Sequence, residues 1–66
     1  MYKNKIEVYR KQKGWSLAKL AKESKISVGY LCHLEKGTRK NPSVDVMERI
    51  AKALGKDVVD VFFDIN

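Results

Sequence analysis

The side chains able to carry out covalent or metal chemistry are few. The 66 residues hold one cysteine, Cys32, and one histidine, His33. Neighbours on a helix point about 100° apart, so this adjacent pair does not form a nucleophile–base dyad. One thiolate and one imidazole cannot fill a four-ligand zinc site. No pair of carboxylates has the spacing of an acid–base pocket, so the sequence predicts neither an enzyme nor a cofactor or metal. What the chain has in quantity is cationic charge: 14 Lys and Arg against 8 Asp and Glu, a net charge of +6. That charge is segregated. Residues 1–40 hold 11 Lys/Arg and 3 Asp/Glu, and residues 41–66 hold 3 and 5, so net +8 is joined to net −2. Hydrogen bonding and ion pairing to a polyanion, on one side only, is the chemistry this pattern can perform.

Elements must position those cations. A chain this short is expected to be one domain over 1–66, burying only about 60% of its unfolded surface. A single cysteine excludes an internal disulfide, so helical packing or self-association must stabilise it. With 44% hydrophobic and 33% charged residues the chain can fold. The longest run of large apolar residues is Val61-Phe62-Phe63, so no membrane span is expected. Lysines near the N-terminus with no apolar stretch behind them predict no secretory signal, and the unpaired thiol agrees with a reducing cytosol.

Apolar residues recur at helical spacing: Ile6 and Tyr9; Leu17, Leu20 and Ala21; Leu31 and Leu34; Met47, Ile50, Ala51 and Leu54, with Val44 one turn earlier. Gly14, Gly37 and Gly55 follow such stretches, as C-terminal left-handed residues do. Ser16, Ser27, Pro42-Ser43 and Asp57 precede them as N-caps, and Asn4 with Glu7 resembles a capping box. The sequence therefore predicts five helices over about 4–13, 17–24, 28–36, 43–54 and 58–62, with no strand. Only a few residues around Lys25 join the second and third. So short a turn forces a steep crossing, a helix-turn-helix over about 17–36, with Leu20, Ala21, Ile26, Leu31 and Leu34 filling the angle.

Here a resemblance becomes specific. Ser16-Leu17-Ala18-Lys19-Leu20-Ala21, Ile26-Ser27, Tyr30-Leu31, Leu34-Glu35-Lys36-Gly37, Asn41-Pro42-Ser43 and Ile50-Ala51-Lys52-Ala53-Leu54-Gly55 resemble, in order and spacing, the phage-repressor and Cro type of helix-turn-helix domain, the Xre family. The likeness covers roughly residues 4–62. It implies an all-α, compact five-helix lambda-repressor-like domain that binds double-stranded DNA. Helix 17–24 would lie across the sugar-phosphate backbone, with Ser16, Leu17 and Lys19 near a phosphate. Helix 28–36 would enter the major groove. The residues resembling base-reading positions are Ser27, Val28, Gly29 and His33. Thr38, Arg39 and Lys40 would hold the backbone, Arg39 or Lys40 reaching a phosphate or the minor groove. The family often carries an ion pair where Arg10 and Glu35 stand, a structural pair holding the reading helix at one angle.

Two positions depart from the pattern. Leu17 stands where members commonly have Gln, so contact there falls to backbone N–H groups or Lys19. Lys25 stands where Gly is common, and a Lys there must take positive φ at a cost of about 1 kcal/mol. Several residues keep a second reading. Val28 meets a thymine methyl or is simply exposed. Gly29 admits close DNA or is a tolerated glycine at a helix start. His33 donates to guanine or phosphate, or is a solvated surface residue. Tyr30 touches phosphate or packs beside Trp15. Trp15 is expected to pack on the core.

The reading that unites these features is a cytoplasmic, nucleoid-associated regulator of bacterial or phage origin. It would act as a homodimer on a palindromic operator, by occupying a promoter or touching RNA polymerase. An antitoxin-like module that neutralises a partner protein is the alternative. Val58, Val61 and Phe62 suffice to pack the last helix, leaving Val59, Phe63 and Ile65, with Val46 off the core stripe, as a dimer surface.

Overall fold

The computed structural model describes residues 4–38 and 42–63. Among these there are five helices and no strand: α1 (Ile6–Gln12), α2 (Leu17–Ser24), α3 (Val28–Lys36), α4 (Val44–Leu54) and α5 (Val58–Phe62). The expected bounds hold within two residues: α1 starts two residues later and ends one earlier, and α4 starts one later.

Serine hydroxyls open three of the helices. Ser16, Ser27 and Ser43 have extended backbones and accept the N–H of Lys19, Tyr30 and Val46 at 3.1, 3.2 and 3.2 Å. Each satisfies a donor that the first turn leaves orphaned, a contribution of about 1 kcal/mol. The other two starts differ from expectation. Lys5, not Asn4, is the N-cap of α1, and no side chain caps it. Asn4 Oδ1 accepts the Ile6 N–H at 3.0 Å, but Glu7 turns away to Lys11 at 3.0 Å, so no capping box forms. Asp57 sits at the N-cap of α5 without a side-chain hydrogen bond. α2 ends on Lys25 at φ 59°, ψ 41°, the non-glycine residue in the left-handed region that the sequence anticipates.

α2 packs on α3 and α4, and α5 on α4 and α1. Ile6, Leu20, Leu31, Leu34 and Ile50 are fully buried where these helices meet, with Ala21, Ala51, Leu54, Val61 and Phe62 around them. Ile26, Trp15, Tyr9, Leu17 and Tyr30 are partly buried against this core. On α4 the expected stripe of Met47, Ile50, Ala51 and Leu54 faces the core, and only Val44 departs from it. Val44 is 63% exposed, and Val46 packs against the core in its place. Val44 is the first residue of the helix, and its Cβ tilts back toward the N-terminus.

Two bonds tie the start of the chain to the rest. The Lys5 N–H donates to the Val61 carbonyl at 2.8 Å, and Asn4 Nδ2 donates to the Leu34 carbonyl at 2.8 Å. α1 is thereby fixed to both α5 and the end of α3.

Candidate nucleic-acid interface

The α2–turn–α3 unit is held from below by one cation. Arg10 Nε and Nη2 donate to Glu35 Oε2 and Oε1 at 2.6 and 3.1 Å, and Nη1 donates to the Trp15 carbonyl at 2.8 Å. The guanidinium and carboxylate are only 12% and 10% exposed. The hydrogen bond to Glu35 raises the pKa of Arg10 above its already strongly basic ordinary range, outweighing the opposing effect of burial. A planar fork on a carboxylate fixes angle as well as distance. Arg10 thus links the end of α1, the loop leading into α2 and the last turn of α3. Asn4 adds a second tie to the Leu34 carbonyl. The Trp15 and Asn4 links carry no sequence signal, because each joins residues whose proximity only the packed fold creates.

The N-cap Ser27 and three residues on the outside of α3 leave its leading face open. Ser27, Gly29 and His33 are exposed, and Val28 is 45% exposed. A Cβ built on Gly29 meets nothing within 4 Å, so the protein itself places no steric demand for glycine there. Tyr30 is half-buried and packs on the core. His33 Nδ1 lies 3.0 Å from Thr38 Oγ1.

The start of α2 is bordered by lysines. Lys13 Nζ lies 4.9 Å and Lys19 Nζ 5.6 Å from the centroid of the Trp15 ring, within cation–π range. Lys19 also meets Glu23 at 3.0 Å. Trp15 therefore has a second role besides core packing, as a platform for two ammonium groups beside Ser16. Leu17 is half-buried on the core, so its side chain serves packing. Arg39 and Lys40 lie outside the described residues.

At the other end, Val59 and Phe63 are 63% and 54% exposed, while Val58 is half-buried and Val61 and Phe62 are buried. Val46, expected beside them, is half-buried in its own core. Ile65 lies outside the described residues. Among the described residues no group of three His, Cys, Asp or Glu could hold a metal, and no helix is long and apolar enough to cross a membrane.

Known proteins share this fold. A family model described as helix-turn-helix matches residues 6–61. The HTH-type transcriptional regulator SlrR of Bacillus subtilis is 39% identical over 57 residues, 86% of this chain and 38% of SlrR. The crystal structure of SinR, the master regulator for biofilm formation, in complex with DNA superposes with a TM-score of 0.79 at 35% identity. That match covers 82% of this chain and 86% of the SinR chain. A SinR–SinI protein complex matches with a TM-score of 0.80 at 34% identity, covering 83% of this chain and 53% of that one. The chain spans 38% of the length of SlrR, and about half that of the longer SinR chain.

Proposed function

This chain belongs to the Xre-type helix-turn-helix family, and from that premise we propose that it is a sequence-specific, double-stranded DNA-binding transcriptional regulator. The observation that carries this reading is the face of α3. Ser27, Val28, Gly29 and His33 are turned to solvent, on a helix locked from beneath by Arg10 and Glu35. A face without packing duties, held at one angle, is what a rigid reader of base edges requires. Ser16 and the lysines on Trp15 stand where α2 would meet a phosphate. The setting is cytoplasmic, at the nucleoid, and control is steric occupation of a promoter or contact with RNA polymerase.

The protein acts as a homodimer on a two-fold operator. Its principal extents are 25 × 20 × 19 Å. One copy cannot reach two major-groove faces about 34 Å apart, and two copies side by side can. The exposed Val59 and Phe63 supply the contact, at the end of the net −2 segment, where two basic faces do not meet. The same patch supports a second reading, a module that neutralises a protein partner; SinR, a relative, is found with SinI.

A salt series tests the DNA reading. With about 6–10 phosphates neutralised per dimer, log K falls against log salt with a slope of about −0.9 per contact. Binding to duplex DNA that ignores salt contradicts the reading. Sedimentation at micromolar concentration tests the dimer: wild type sediments as a pair, and Phe63→Asp as a single copy with weakened DNA binding. A wild type that stays single, alone and on DNA, removes the dimer.

A further inference from the structure

The end of α3 carries a short polar chain that joins His33 to Thr38. His33 Nδ1 stands 3.0 Å from Thr38 Oγ1, and that same oxygen stands 3.1 Å from the His33 carbonyl. The Thr38 backbone N–H also donates to this carbonyl at 3.0 Å, just after Gly37 turns left-handed at φ 78°. The hydroxyl is thereby set over the last turn of the helix.

A threonine hydroxyl has one proton, and a carbonyl oxygen has none. If the proton lies between Oγ1 and the carbonyl, Oγ1 faces the ring with a lone pair, and Nδ1 carries the hydrogen that bridges them. Both short contacts are then hydrogen bonds. If the hydroxyl instead donates to Nδ1, two oxygens face each other at 3.1 Å with no proton between them. The first arrangement satisfies every group and the second leaves one contact repulsive.

We infer that Thr38 is a positioning residue that fixes His33 as the Nδ1–H tautomer, so that the neutral ring presents Nε2 as a hydrogen-bond acceptor. This rests on the reading of α3 as the helix in the major groove. Guanine shows only acceptors there, N7 and O6, and a phosphate oxygen is an acceptor too. Neither can pair with an acceptor Nε2. The partners that fit are exocyclic amino groups: N4 of cytosine or N6 of adenine. The expectation that His33 donates to guanine or phosphate is therefore reversed for the uncharged side chain, and Thr38, which touches no base in this scheme, becomes a determinant of sequence preference.

Two experiments decide it. Long-range ¹⁵N–¹H spectra of the full chain without DNA, at pH 8, report which ring nitrogen holds the proton. The expected result is hydrogen on Nδ1 in wild type and its loss from Nδ1 in Thr38→Val. Hydrogen on Nε2 in wild type overturns the inference, as does a tautomer indifferent to Thr38→Val. The second experiment selects bound duplexes from a random library at the same pH, then removes single amino groups from the enriched duplex by placing purine for adenine or 2-pyrimidinone for cytosine. At one position the loss weakens wild type about 2- to 10-fold, the worth of one neutral hydrogen bond, and leaves His33→Ala indifferent. Sensitivity to 7-deazaguanine that vanishes in His33→Ala overturns the base assignment. A library in which wild type enriches nothing overturns the DNA reading and the base assignment with it, while the spectra still judge the tautomer.

Discussion

Replacing Arg10 tests whether one ion pair sets the pose of the reading helix. The guanidinium makes two bonds to Glu35, at 2.6 and 3.1 Å, and one to the Trp15 carbonyl at 2.8 Å. With both side chains almost out of solvent, Arg10→Ala strands the Glu35 carboxylate. Breaking such a pair costs about 3–5 kcal/mol. At about 0.05–0.15 kcal/mol per residue, the whole stability of a domain this size is about 3–10 kcal/mol. The variant therefore loses a third of its stability or more. At about 4–8 °C per kcal/mol, its Tm falls by more than about 12 °C. Arg10→Met with Glu35→Leu removes both charges together and is expected to recover most of that loss, falling short of wild type by about 1–3 kcal/mol because the Trp15 carbonyl loses its donor. Urea unfolding of wild type, both single variants and the double variant closes the cycle. If Arg10→Ala lies within about 0.5 kcal/mol of wild type, or the double variant is as weak as the single, the pair does not have the role given to it here. The stabilisation is also independent of pH across the neutral range. A cation whose folded pKa is raised contributes fully below its unfolded value and loses that contribution only as pH climbs through the folded one. For Arg10 both lie far above neutrality.

Further variants separate packing from reading. Gly29→Ala meets nothing within 4 Å, so it should raise stability by up to about 1 kcal/mol in urea unfolding while weakening DNA binding through crowding of the groove; unchanged affinity would take Gly29 off the interface. Lys25→Gly relieves a left-handed lysine at φ 59° and should be neutral to about 1 kcal/mol stabilising in thermal unfolding, whereas Lys25→Val at the same φ should destabilise. Ser27→Ala removes the cap of α3 and should cost about 1 kcal/mol by the same measurement. Glu7 titrates below the usual carboxylate range because Lys11 donates a hydrogen bond to it and adds its positive charge. Its contribution is therefore present above the unfolded pKa and fades only as pH falls through the folded one, and an NMR titration of Lys11→Met should find the Glu7 carboxyl shifted upward.

The helix-turn-helix was legible because its signals are local. A serine oxygen three residues ahead of an orphan N–H, and apolar residues three and four apart, need no tertiary information, and Ser16, Ser27, Ser43 and the Leu20–Leu31–Leu34 cluster follow from them. The left-handed backbone of Lys25 came instead from the resemblance, in which glycine is common at that place in the turn. What misled was chemistry that reaches across the fold. Asn4 reads as half of a capping box, yet its amide donates to a carbonyl 30 residues away. Val44 and Val46 lie at comparable angles from the centre of the α4 stripe, so helical spacing alone does not say that Val46 is the one covered. For the candidate site, the exposed face of α3 was legible from spacing and resemblance. The contact between His33 and Thr38 was not, because it depends on where Gly37 sets the Thr38 hydroxyl.

Selection of bound fragments from a random duplex library tests the central claim most directly. Wild type should enrich one motif with two-fold symmetry, its half-sites about 10–10.5 base pairs apart. Variants on the outer face of α3 should lose or change that motif, and an equally folded Val44→Ala should keep it. No enrichment over the input pool, or a motif that survives replacement of Val28, Gly29 and His33 together, would contradict the claim that this helix reads DNA.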